Sequence, residues 1–205
     1  MEVNKFSGKD YDETLALALD TLKLSENEVI IYSEEKKGGL FKGNIYELTV
    51  TPLTDVVEYV KSYLDDVLKA MGLEVTFETK IRERQIQIKM YSNDNPILIG
   101  KGGRSLACFQ TLVRQVAKVK FGATPYISLD VENYKDKQLM YLEKSAKRIA
   151  REVARTKVAA ELENMNSYER LVVHNALADF KGVYTESVGE EPNRHIVIKP
   201  KEEDQ

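Results

Sequence analysis

Ile99-Gly100-Lys101-Gly102-Gly103-Arg104-Ser105-Leu106 is the stretch on which the fold of this chain turns. A short apolar run, Pro96-Ile97-Leu98-Ile99, enters it. Leu106, Phe109, Leu112, Val113 and Val116 leave it at helical spacing, so a Gly-x-x-Gly turn joins two helices. Glycines let a backbone approach a phosphate chain closely, and the free amides of a following helix N-terminus attract anions. Lys101 adds a mobile cation and Arg104 a second one at the helix start. The expected chemistry of Gly100, Lys101, Gly102, Gly103 and Arg104 is a grip on a sugar-phosphate backbone.

Working outward, Val56, Val57, Val60, Tyr63, Leu64, Val67 and Leu68 form one helical stripe. Thr54 is its expected N-cap, and Gly72 closes it where left-handed backbone is usual. Leu73, Val75 and Phe77 alternate with polar residues, as do Ile86, Ile88 and Met90, and later Ile127, Leu129 and Val131. Each series predicts a strand with one buried face. The order helix, strand, strand, short helix, glycine loop, helix, strand resembles a type II KH domain, whose Gly-x-x-Gly loop holds about four nucleotides of single-stranded nucleic acid. A nucleotide-binding P-loop needs Gly-Lys-Ser/Thr at the end of a longer loop, which is missing here.

Before this region, Leu15, Ala18, Leu19 and Leu22 predict a helix, and Val29/Ile31, Ile45 and Leu48/Val50 predict strands. Between the strands lies Lys36-Lys37-Gly38-Gly39-Leu40-Phe41-Lys42-Gly43. Its Leu40-Phe41 pair is either a hairpin tip folded on its own core or a knob for a partner. Behind the KH-like region, an inner face of Leu139, Leu142, Ala146, Ile149, Val153 and Ala160 predicts one helix from about Tyr134 to Leu162. That helix would run on the order of 40 Å and join the two C-terminal units rigidly. Asn166 and Glu169 form a capping box for a helix over 167–179. Strands are expected around Val183-Tyr184-Thr185 and Ile196-Val197-Ile198.

On the helix over 167–179, Arg170 and His174 stand four apart and therefore share a face. Downstream comes Ser187-Val188-Gly189-Glu190-Glu191-Pro192-Asn193-Arg194-His195. Both stretches resemble the Arg-x-x-x-His domain, a small single-strand-binding module, and Arg194 joins Arg170 and His174 as a candidate contact. A bland alternative is that Arg170 pairs with a carboxylate such as Glu169 or Glu186 and braces the domain. With both modules in this order and the glycine-rich N-terminal loop, the chain resembles the Jag (SpoIIIJ-associated, KhpB-like) bacterial family. The resemblance implies an α+β protein of three small domains: a Jag N-terminal domain over 1–51, a KH domain over 52–131 and an Arg-x-x-x-His domain over 132–201. It further implies a non-catalytic, cytoplasmic binder of single-stranded RNA linked to cell envelope growth and cell shape. The implied partner is a small single-KH protein or a second copy of this chain. The N-terminal loop departs from the family's usual Lys-Lys-Gly-Phe-Leu-Gly.

The net charge of −3 argues against nucleic acid only on average. Residues 1–50 carry −4, residues 51–130 carry +2 and residues 131–205 carry −1. Between Lys80 and Lys120 nine bases face two acids, and Lys135 to Lys157 is a second basic stretch. Phosphates respond to the local field, so both stretches are expected to meet them. No apolar run approaches the roughly 20 residues of a membrane span, and no signal peptide is visible. With Cys108, His174 and His195 as the only cysteine and histidines, neither a zinc site nor a catalytic triad is expected, and no cofactor. Cys108, beside Phe109, is expected to be a packed or idle thiol. Residue types alone leave RNA and single-stranded DNA undivided, and they leave room for a protein assembly adaptor that uses its KH and Jag surfaces.

Overall fold

A computed structural model describes residues 4–37 and 44–201. The chain forms two compact units, Met1–Asn133 and Tyr134–Gln205. The Leu40-Phe41 pair lies outside the described residues.

The first unit opens with a strand that periodicity did not reveal. β1 (Asn4–Gly8) pairs antiparallel with β3 (Ile45–Pro52), which also pairs antiparallel with β2 (Val29–Lys36). α1 (Tyr11–Leu22) covers this sheet, with Ala18, Val29, Leu48 and Val50 at the centre of the contact. Asn4-Lys5-Phe6-Ser7-Gly8 has a single large apolar residue, so alternation carries no signal there.

β3 then runs directly into α2 (Leu53–Ala70). Thr54 was the expected N-cap, but the cap position is Pro52, with no side-chain bond. Burial of Leu53 sets the start, since that side chain is fully enclosed, and proline has no N–H to leave unpaired. The other end follows expectation. Gly72 at φ +78° donates to the Lys69 carbonyl at 2.9 Å, and Leu73 donates to Leu68 at 2.9 Å. This paired closure buries Leu68 and Leu73 together.

β4 (Val75–Arg82) and β5 (Gln85–Ser92) form an antiparallel hairpin, and β6 (Tyr126–Val131) lies parallel to β5. Ile86, Ile88 and Met90 are in register with Ile127, Leu129 and Val131, and all six are buried. α3 (Asn95–Ile99) and α4 (Arg104–Phe121) make the crossover between β5 and β6. Leu106, Phe109, Val113, Ala117 and Phe121 of α4 are buried. The observed order from α2 is thus α-β-β-α-α-β.

In the second unit α5 (Tyr134–Thr156) is shorter than expected. The helix stops where Lys157 turns left-handed at φ +59°, and Ala160 and Glu161 form a short strand, β7. Leu162 therefore packs from outside the helix. α6 (Ser167–Leu177) begins at the expected capping box: Asn166 Oδ1 accepts from Tyr168 and Glu169 amides at 3.0 Å each, and Glu169 Oε2 accepts from the Asn166 amide at 2.9 Å. β8 (Val183–Val188) and β9 (His195–Pro200) complete an antiparallel sheet of order β7-β9-β8. Ala146, Ala150 and Val153 of α5 share its core with Val173, Leu177, Ile196 and Ile198.

Candidate nucleic-acid interface

The loop between α3 and α4 is built by its glycines. Gly100, Gly102 and Gly103 all have positive φ, at +70°, +61° and +79°. At Gly100 the requirement is also steric: a Cβ would lie 2.3 Å from Ser105 Oγ and 2.9 Å from the Ser105 amide. Gly102 has open space around it and needs only its φ. The Gly100 amide closes α3 on the Pro96 carbonyl at 2.8 Å, and the Gly103 amide donates to the Gly100 carbonyl at 3.2 Å. Arg104 then starts an 18-residue helix, its own amide donating to the Lys101 carbonyl through the glycine turn. Lys101 and Arg104 are exposed. Among the described residues neither side chain has a hydrogen-bond or ion-pair partner.

The basic neighbourhood that charge counting assigned to this region is smaller than nine residues. Arg84 donates to the Glu26 carbonyl at 3.0 and 2.9 Å and to its carboxylate at 2.6 Å. Lys80 pairs with Glu78 at 3.1 Å, and Lys89 reaches Asn133 at 2.6 Å. Lys120 stands 5.5 Å from the centre of the Tyr59 ring. Arg114 donates twice to the Ile127 carbonyl, at 3.1 and 3.0 Å. Gln110 joins it there, donating to that carbonyl at 2.6 Å and accepting from the Leu129 amide at 2.8 Å. These two side chains satisfy backbone groups of β6, an edge strand. Arg82, Lys101, Arg104 and Lys118 remain without such partners among the described residues. Sequence reading missed the roles of Gln110 and Ser105, which no local pattern announces.

Arg170 and His174 do share a face of α6, but that face looks inward at the β8–β9 hairpin. Arg170 is only 7 % exposed. Its Nη1 donates to the Met165 carbonyl at 2.8 Å and to Glu191 Oε1 at 2.9 Å. The expected exposed cation is thus a largely buried brace. The carboxylates considered for it are engaged elsewhere: Glu169 with Asn166 and Gln138, and Glu186 with Lys199. The loop that Arg170 braces is also tied by Met165 N–H to the Arg194 carbonyl at 3.1 Å and by Asn164 to Asn193 at 3.1 Å. His174 Nδ1 lies 2.6 Å from Thr185 Oγ1. Burial first, and the nearby Arg170 charge second, hold its pKa below the usual imidazole value, so it is neutral at neutral pH. Arg194 Nε donates to Ser187 Oγ at 3.1 Å across the strand pair, leaving the rest of a half-buried guanidinium. Cys108 is exposed on α4, which removes the packed alternative for its thiol. Among the described residues no His, Cys, Asp and Glu side chains gather as a metal site would, and no helix is long and apolar enough to cross a membrane.

Comparison with known families finds two domains in this chain. Residues 57–128 match the KH domain of KhpA and KhpB, and residues 140–200 match the R-three-H (Arg-x-x-x-His) domain. The class is therefore a mixed α/β protein carrying a KH domain followed by an R-three-H domain. An RNA-binding protein KhpB from Clostridium symbiosum is 31 % identical over 99 % of this chain and 94 % of its own length. That of Bacillus subtilis is 27 % identical over 95 % of this chain and 97 % of its own length. In Lactiplantibacillus plantarum the identity is 32 % over 66 % of this chain, covering 42 % of a longer relative. The chain belongs to the KhpB (Jag-like) family of RNA-binding proteins.

Proposed function

We propose that this chain binds single-stranded RNA, without catalysis, through the Gly100–Arg104 loop. The observation that carries this is the pairing of a glycine-built backbone at a helix N-terminus with two exposed cations whose side chains have no partner among the described residues. A phosphate chain is the ligand such a surface suits, and the family of RNA-binding proteins favours RNA over single-stranded DNA. Gly100, Gly102 and Gly103 supply approach and Lys101 and Arg104 supply charge. In the second domain Arg194 is the cationic contact and neutral His174 offers a hydrogen bond. Arg170 orders the Glu190–Arg194 turn between them.

The division we favour is a Jag domain over 1–51, a type II KH domain over 52–131 and the Arg-x-x-x-His domain over 132–201. We place the protein in the cytoplasm, as a post-transcriptional regulator of cell envelope growth and cell shape. Its inferred partner is a small single-KH protein or a second copy, on the family pattern.

Replacing Lys101 and Gly102 by Asp tests the clamp. Asp tolerates a left-handed backbone better than most residues, and Gly102 has no neighbour to strike, so the fold is expected to hold. Two anions beside the phosphate path should weaken single-stranded RNA binding at least tenfold, about 1.4 kcal/mol. Unchanged affinity by fluorescence anisotropy would remove the clamp and favour an assembly adaptor.

A further inference from the structure

We infer that the outer face of α5 is a second track for the phosphate backbone of single-stranded RNA, a surface that neither domain's named motif includes. The inference rests on the RNA-binding function proposed above. Lys137, Tyr141, Lys144, Arg148, Arg151 and Arg155 recur at alternating steps of four and three. At about 100° per residue these six fall within a sector of roughly 80°. All six are exposed, Tyr141 at 74 %, and Met140 at 70 % lies at the margin. The opposite face, with Ala146, Ala150 and Val153, is in the domain core, so the stripe is held pointing outward by packing.

Charge chooses the occupant. Among the described residues none of the five cations has a hydrogen bond or ion pair. The acids of α5 lie off the stripe: Asp136 and Glu143 lie on one flank, Glu143 paired with Lys147 at 4.0 Å, and Glu152 borders the stripe on the other side. A row of five like charges costs the helix some repulsion, and a ligand with regularly spaced anions relieves it. Tyr141 inserts a flat, exposed ring among those cations, the combination by which single strands are gripped without sequence preference. An acidic protein segment would meet the charge but has no need of the ring.

The test uses the full chain with Lys144, Arg148 and Arg151 each replaced by Glu, and circular dichroism to check the fold. Two labelled single-stranded RNAs serve as probes: one of about four nucleotides, the length a KH clamp holds, and one several times longer. The triple variant should bind the long strand at least tenfold more weakly and the short strand as wild type does. Its salt dependence on the long strand should be shallower by about 2, at about 0.7 per lost phosphate contact. Tyr141→Ala should weaken the long strand several-fold with no change in salt slope. If the triple variant keeps wild-type affinity and slope on the long strand, the stripe is a solvated face and the inference falls alone. If wild-type protein binds neither strand, the proposed function falls with it. A triple variant that loses binding to phosphatidylglycerol vesicles, with long-strand RNA binding intact, would overturn the RNA track in favour of a membrane surface.

Discussion

The Gly100–Arg104 loop and the Arg170–His174 face of α6 are both short motifs rich in cationic or hydrogen-bonding groups, and the fold treats them in opposite ways. At the loop, the fold consumes the glycines and leaves the charges free. Gly100 is pressed against Ser105, while Lys101 and Arg104 stand in solvent. On α6, the fold consumes the charge itself: Arg170 is buried between the Met165 carbonyl and Glu191. A guanidinium with five donors can tie several acceptors at once, so it makes a good brace, and once it does so it is no longer available to phosphate. The lesson is that a motif's residues can serve a function by contact or by holding a neighbour in place. Spacing does not tell which.

The largest expected effect would break this contrast outright. Arg170→Ala should cost about 2–3 kcal/mol of stability in chemical denaturation, because a buried carbonyl and a loop anchor are left unpaired. Glu191→Ala should cost less, about 0.5–1 kcal/mol, since that carboxylate is 61 % exposed and screened by water. If Arg170→Ala instead unfolds like wild type and binds RNA poorly, the two motifs work alike and the contrast is gone.

At the loop the expected losses run the other way, in binding for the charges and in stability for the glycine. Gly100→Ala should destabilise by about 1–3 kcal/mol, from its left-handed φ and its collision with Ser105. Gly102→Ala should cost about 1 kcal/mol, from φ alone. Equal melting of the two variants would mean that Ser105 moves aside freely, and that Gly100 is needed only for its backbone.

The smallest effect sharpens the reading of His174. Its folded pKa lies below its unfolded one, so the stability it contributes is complete above about pH 6.5 and is lost as pH falls through the folded value. His174→Gln should flatten that part of the stability profile. RNA affinity of the wild type should be level from about pH 7.5 to 8.5, because a pKa held below the usual imidazole value leaves the ring neutral there. Affinity that falls across that range in the wild type and not in the Gln variant would restore His174 as a cation.

Much of the fold was open to reading from residues close together in the chain. The α2 stripe with its Gly72 stop, the alternation of Ile86, Ile88 and Met90, the Asn166/Glu169 box and the glycine turn are local patterns. Each is formed by interactions within a few residues, so spacing alone carries them. The errors came where the deciding interaction was distant. β1 exists because β3 lies beside it, and Ala160 leaves the helical register because Ile198 of β9 pairs with it.

The sequence by itself determined where the flexible glycines, the cations and the apolar faces fall, and with them the two kinds of module. It could also place Lys137, Lys144, Arg148, Arg151 and Arg155 along one helix, since a single periodicity governs them. Only the tertiary structure decided which charges remain available to a ligand. A salt bridge or carbonyl contact depends on a partner brought from far along the chain, as Glu26 is to Arg84, Ile127 to Arg114 and Glu191 to Arg170. Electrostatic attraction and desolvation act over a few ångströms of space regardless of chain separation, so the fate of each cation was settled by packing.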